Sequence, residues 1–236
     1  MIFAMSDSSA PRQFVSYTFY KVDPAWRRLP EIEKAAHKEE LAKVVESFQG
    51  RAIIVPFSLV GVRGDCELML WRIAYELETL QELGAAILKT GLGKWLETPY
   101  SYLGQAKGSV YEDEFIHPSQ EEKRSRVRPG EFKYLFVYPF VKTREWFQLP
   151  PEERGRIMKG HIKLGHEFPS IKLNTIYSFG LDDQEWVVSF ESNRPDDFLD
   201  LVMELRHTES SRFTLRDTPI FTCVRKSLRD ALELLG

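Results

Sequence analysis

The stretch QFVSYTFYK, residues 13–21, decides the fold. Apolar and polar side chains alternate along it, and β-branched and aromatic types dominate, which is the pattern of a strand with one face buried. Beyond it, from Pro30 to Gln49, the spacing turns helical, with Ile32, Ala36, Leu41, Val44, Val45 and Phe48 on one stripe and Pro30 near the start. Two short strands are expected over Ala52 to Val60 and Cys66 to Ile73, joined by a turn at Gly61 and Gly64. A second helix from Leu77 to Thr90 and a strand near Tyr100 to Gly104 complete a β-α-β-β-α-β order.

The same order returns further on. Strand Tyr134 to Tyr138, helix Pro151 to Gly165, strands Leu173 to Phe179 and Trp186 to Glu191, helix Pro195 to Arg206 and strand Phe213 to Cys223 repeat the six elements. Such a unit makes an antiparallel sheet with both helices on one face, leaving the other face in need of a partner. The fold class expected is therefore α+β, with two ferredoxin-like repeats stacking into an antiparallel α+β barrel. Residues 1–109 are expected to form the first repeat and residues 132–236 the second. Residues 110–131 form a polar linker with two prolines and a charge run, and such a crossing is also placed to cover a site.

With 32 basic and 35 acidic side chains in 236 residues, the formal charge is -3. No whole-molecule field draws this chain to nucleic acid or an anionic membrane, so any anion site must be local. The start lacks a cationic segment followed by a long apolar run, and no window approaches the ~18 apolar residues of a membrane span. A cytoplasmic protein is expected. Cys66 and Cys223 lie far apart inside strand-like segments with no CxxC spacing, and read as buried thiols in a reducing compartment.

The segment LPPEERGRIMKGHIKLGHEFP places Ile157, Met158, His161 and Leu164 at helical spacings, so His161 projects from an apolar face. A lone histidine there is either a satisfied core residue or a ligand. His166, past Gly165, reads as a helix-end cap. Upstream, Tyr138 at a strand end, Lys142 four residues on, and Trp146 lead into that helix and share a candidate pocket with His161. Taken alone, Tyr138 also reads as a core-edge residue and Trp146 as packing.

The run YPFVKTREWFQLPPEERGRIMKGH (residues 138–161) resembles the corresponding segment of the chlorite dismutase-like family, in particular its actinobacterial coproheme decarboxylases. SLVGVRGDCELMLWRIA, TIYSFGLDDQEWVVSFE and LRHTESSRFTLRDTPIFT are similar as well, so the resemblance covers most of residues 13–223. It implies an iron porphyrin as cofactor and substrate, with coproheme and hydrogen peroxide taken up and haem b produced. It implies that His161 is the iron ligand, Tyr138 the redox tyrosine beside the propionates, and His117 in FIHPS the distal base. Lys142 and Ser211 match propionate-holding positions, and Arg124, Arg126 or Arg128 could serve likewise. A homo-oligomer, often a pentamer, is the family expectation.

One departure bears on the chemistry. Chlorite dismutases carry an arginine on the strand after the proximal helix, over the distal face of the haem. Here the strand reads IKLNTIYSF, and Leu173 or Asn174 takes that place, neither able to supply a fixed cation. Alternation along a strand points Lys172 away from Leu173. Coproheme decarboxylation is expected, with chlorite dismutation or haem peroxidation, or haem carriage without turnover, as the alternatives.

Overall fold

A computed structural model describes residues 11–108 and 126–236. Its strands are β1 (Phe14–Val22), β2 (Ile53–Ser58), β3 (Leu68–Ala74), β4 (Leu96–Ala106), β5 (Tyr134–Lys142), β6 (Ile171–Tyr177), β7 (Trp186–Ser192), β8 (Thr214–Arg216) and β9 (Phe221–Arg225). The helices are α1 (Glu31–Glu46), α2 (Leu77–Lys89), α3 (Arg144–Gln148), α4 (Pro151–His166), α5 (Pro195–His207) and α6 (Leu228–Glu233). None is long and apolar enough to cross a membrane among the described residues.

All nine strands belong to one sheet in the order β7-β6-β4-β1-β3-β2-β9-β5-β8, and a further β5–β7 pairing closes it into a ring with β8 attached outside. Every ladder is antiparallel. Within this ring the first half runs β4-β1-β3-β2 and the second β9-β5-β7-β6, so corresponding strands take the same places. Pairings β2–β9 and β4–β6 join the halves and leave no sheet edge between them.

Alternation along the strands sends one set of side chains into the ring and the other outward to the helices. Inside lie Val15, Tyr17, Phe19, Trp71, Val137, Ile176, Val187 and Phe221, all essentially excluded from solvent. Tyr17 stacks on Trp71 and its hydroxyl lies 2.8 Å from Ser189 Oγ, tying the two halves together through the interior. The end of the expected linker is not solvated: Val127 is buried in this core, with its N–H on Gln13 Oε1 at 2.7 Å.

The helices differ from expectation in instructive ways. On α1 the buried side chains are Lys34, Lys38, Leu41, Ala42 and Val45, while Ile32 and Ala36 are exposed. The lysine stems cover Trp26, each ammonium 5.9 Å from its ring, with Glu31 at 2.7 Å from Lys34 and Glu233 at 3.0 Å from Lys38. Helix α4 runs through Gly165 to His166 rather than stopping at the glycine. The last expected strand is divided into β8 and β9 around Pro219, which has no N–H for a ladder. Two short helices, α3 and α6, were not expected. Ala231 and Leu232 of α6 pack into the first half's outer layer beside Leu41 and Val45.

Candidate haem site

Strand β5 builds one wall of the site. Its register with β7 sets Tyr138 against Val188 and Phe136 against Phe190, on the outward face. Tyr138 is buried there and stacks on Phe190 at 6.0 Å, and Leu173 of β6 packs against the same cluster. The β6–β7 register places Leu173 beside Phe190 and Asn174 beside Ser189, so the two candidates face opposite ways. Leu173 faces outward with Tyr138. Asn174 faces into the ring, where its amide donates to Glu191 Oε1 at 3.0 Å. Lys172 also faces inward and pairs with Glu191 at 3.1 Å.

At the far end of β5 stands Lys142. Its side chain is buried and its ammonium donates to Ser210 O at 2.7 Å and Ser210 Oγ at 2.8 Å, while lying 4.5 Å over the ring of Trp146. Among the described residues no carboxylate pairs with it. Burial pulls its pKa down to about 8. A buried cation held only by neutral oxygens and a π face is electrostatically incomplete, and a carboxylate would complete it.

Helix α4 forms the roof. Its single buried residue is Ile157, so this roof stands off the sheet where its first-half counterpart α1 presses down. His161 is half-buried on its inner side, and Nδ1 is buried with no hydrogen-bond partner. Burial, with Lys142 nearby, lowers its pKa to about 4, so the imidazole is neutral, with an N–H on one ring nitrogen and a free lone pair on the other. His161, Ile157, Gly160 and Leu164 line a cleft of about 340 Å³ whose other side is Glu204, His207 and Thr208. Ser210 Oγ also meets Met158 Sδ at 3.8 Å, linking Lys142 to the helix that carries His161.

The structure thus gathers Lys142, Trp146 and His161, with Tyr138 and Leu173 on the same outward face of the sheet. Ser211 is one residue removed from the lysine: its hydroxyl donates to Arg206 O at 2.7 Å, and Ser210 makes the contact instead. Arg128 is exposed, although its carbonyl receives the Lys172 ammonium, and Arg126 is exposed as well. His117 and Arg124 lie outside the described residues. Reasoning from sequence missed the Arg206–Asp217 ion pair, whose charges act on Tyr138. Burial first and Asp217 second raise the phenol's pKa well above its ordinary value, which keeps the O–H in place. Both Cys66 and Cys223 are buried, as read, and burial pushes the Cys66 thiol up to about 12.

These residues suit an iron porphyrin. An orphaned neutral imidazole provides a ligand nitrogen, and an unneutralised buried ammonium provides a seat for a ring carboxylate.

The antiparallel ring is flanked by helices and carries, on its second half, a cleft between α4 and the end of α5 that reaches His161. The chain belongs to the chlorite dismutase family, whose family model matches residues 34–226. It is 29% identical over 206 residues to a coproheme decarboxylase from Mycolicibacterium smegmatis, covering 84% of each chain. Among solved structures it superposes on chlorite dismutase from Candidatus Nitrospira defluvii in complex with imidazole with a TM-score of 0.86, at 25% identity over 94% of each chain. A heme-binding protein from Thermus thermophilus shares the fold with a TM-score of 0.83 at 24% identity, again over 94% of each chain.

Proposed function

We propose that this protein catalyses the peroxide-dependent oxidative decarboxylation of iron coproporphyrin III to haem b. The observation that carries the reading is the pairing, at one helix, of a histidine with an unspent ring nitrogen and a buried lysine with no carboxylate partner among the described residues. Support also comes from the 29% identity to a coproheme decarboxylase over most of both chains.

His161 would hold the iron and Lys142 a propionate, with Arg206 exchanging part of its bond to Asp217 for a second one. When bound, the iron supplies the redox chemistry that reduces peroxide. Tyr138, protonated and buried, would give up its O–H hydrogen as proton and electron, and the resulting phenoxyl would take a hydrogen atom from a propionate. Loss of a second electron and of CO2 leaves a vinyl group. Each round consumes one peroxide, which is reduced to two waters, and one proton, so atoms and electrons balance. His117 is assigned to peroxide deprotonation, and Arg124, Arg126 and Arg128 to the remaining carboxylates. Leu173, outward and uncharged beside Tyr138, does not itself supply the cation that chlorite splitting uses.

The two halves are read as ferredoxin-like copies, 1–109 and 132–236, joined by 110–131, and supported by their shared strand order. A homo-oligomer is part of the proposal.

The test is mass spectrometry of the porphyrin after titration of the loaded protein with peroxide. Loss of first one and then a second CO2 is expected, and a parallel chlorite assay should yield little oxygen. A porphyrin that keeps four carboxylates, or sustained oxygen release from chlorite, would overturn the reading.

A further inference from the structure

The first half carries its own incomplete cation. Arg72 of β3 faces outward beneath α2, is 7% exposed, and is paired with no carboxylate among the described residues. One terminal nitrogen, Nη2, donates to Ser16 Oγ at 2.8 Å and also to Thr18 Oγ1. Its Nε is buried and unpartnered. The titratable group acting on it is the phenol of Tyr20, which is itself held protonated by burial. A guanidinium cannot escape its charge by releasing a proton, so the folded protein holds an uncompensated positive charge in a low-dielectric layer.

The surroundings leave one nitrogen, Nη1, available. Above it lies Gly84 of α2, where an added Cβ would stand 3.7 Å from Nη1 and meet no other atom within 4 Å. Any larger side chain at that position would cover the guanidinium. The hydroxyls continue as a polar track from Ser16 through Thr18, 3.1 Å away, to Ser101, 3.5 Å further, and Ser101 is exposed on β4. Polar groups thus run from solvent to the buried charge across a face that should otherwise be apolar.

We propose that Arg72, with the opening left by Gly84, binds a small monovalent anion of chloride or formate size, separate from the Lys142 site. One cation can neutralise one charge, so a dianion would leave the layer as unbalanced as before. The space of a missing side chain sets the size limit.

The full chain without porphyrin would be titrated with sodium chloride, sodium formate and sodium sulfate at matched ionic strength, following the thermal midpoint. Chloride and formate at roughly a hundred times their dissociation constant should raise it by about 5–10 °C, and sulfate by clearly less. In a Lys142→Met background, which removes the other unpaired buried cation, Arg72→Met should abolish the difference between anions, and Gly84→Ala, which suits a helix and clashes with nothing, should weaken binding at least about tenfold. Lys142→Met should retain the response. If the response is equal for all three salts, survives Arg72→Met in that background, or disappears in Lys142→Met, the site at Arg72 is refuted.

Discussion

The two halves of this chain use one scaffold for opposite purposes. Helices α1 and α4 begin after Pro30 and Pro150, which have nearly the same backbone angles, and each follows a buried tryptophan, Trp26 or Trp146. Aligned on these landmarks, Leu41 stands where His161 does, Val22 where Lys142 does, and Thr18 where Tyr138 does. Val22 and Leu41 are each 1% exposed and belong to one continuous layer between sheet and helices. Exchanging those two for lysine and histidine removes the apolar filling, so α4 buries little and a cleft opens beside it. The reverse exchange occurs one strand over: Arg72 of the first half corresponds to Phe190, which stacks with Tyr138. A closed half supports the ring, and the open half offers the space in which the proposed function seats the porphyrin.

The largest effect should come from Tyr138→Phe. Ring shape and burial are kept, and the lost hydroxyl is worth only ~1 kcal/mol to folding. Porphyrin binding should therefore change little, whereas CO2 release per peroxide should fall by at least about 10³-fold, as when a group that enters the bond-breaking step is removed. Normal haem b formation by the Phe variant would place the radical elsewhere.

His161→Leu copies the first half's Leu41 into the second. Porphyrin affinity should drop by no less than the ~10–100-fold that losing a ligand's supporting partner costs, with a changed absorption spectrum, while the ligand-free fold gains stability. His166→Leu should do neither. Because the His161 pKa is lowered to about 4, the unfolded chain holds a proton between there and 6.5 that the folded chain refuses. Ligand-free stability should thus climb as pH rises through this window, and that limb should vanish in His161→Leu. An acid limb unchanged by the substitution would assign it to other groups.

Much of the fold was legible because its elements are long enough to show a period. Alternation identified β1, strands β2, β3, β5, β6 and β7 overlap the segments expected to be strands, and α2, α4 and α5 lie within a few residues of their expected bounds. What escaped was short or cooperative. Five residues of α3 and six of α6 span too few turns for periodicity. Ile32 belonged to the apolar stripe by spacing, yet the helix was rolled by lysine stems settling on Trp26. In the site, His161 was visible as a polar residue on an apolar face. The convergence of Lys142 on Ser210 rather than Ser211, and of Arg206 with Asp217 near Tyr138, depends on β8 and its preceding turn returning beside β5. Comparing the halves position by position is the signal that would have ranked Lys142 and Tyr138 together, since each replaces a residue whose counterpart is smaller or apolar.

Lys142→Met tests the other half of the exchange. One charge-assisted hydrogen bond is worth about 1.5–3 kcal/mol, so affinity for the carboxylated ring should fall roughly 10–100-fold. In the wild type, binding should weaken as pH rises through about 8, where the ammonium loses its proton. The variant should show no such step. Ligand-free stability has the opposite trend: between about 8 and 10.5 the unfolded lysine is protonated and the folded one is not, so wild-type stability should rise with pH across that range. A pH-independent affinity in the wild type would mean that Lys142 does not meet the carboxylates.

The smallest effects concern what the halves still share. Thr90 follows α2 and Thr208 follows α5, and each hydroxyl turns back to donate to the carbonyl three residues earlier, Ile87 or Leu205, at 2.7 Å. In the first half Thr90 Oγ1 also accepts from Gly93 N–H at 2.9 Å, and this hydroxyl is buried. Gly93 has no side chain to spare there, since an added Cβ would stand 1.9 Å from Ile87 O. The second half has Ser211 at the corresponding place, with its hydroxyl on Arg206 O. Replacing Thr208 by valine removes one bond and should cost about 1 kcal/mol, or roughly 2–4 °C in the midpoint. Thr90→Val strands a buried N–H as well, and an unsatisfied donor costs about 1–3 kcal/mol, so its loss should be the larger. If the order of the two were reversed, Thr90 Oγ1 would not be what satisfies the buried Gly93 N–H, and the difference between the halves would rest on the residues exchanged under α4 alone.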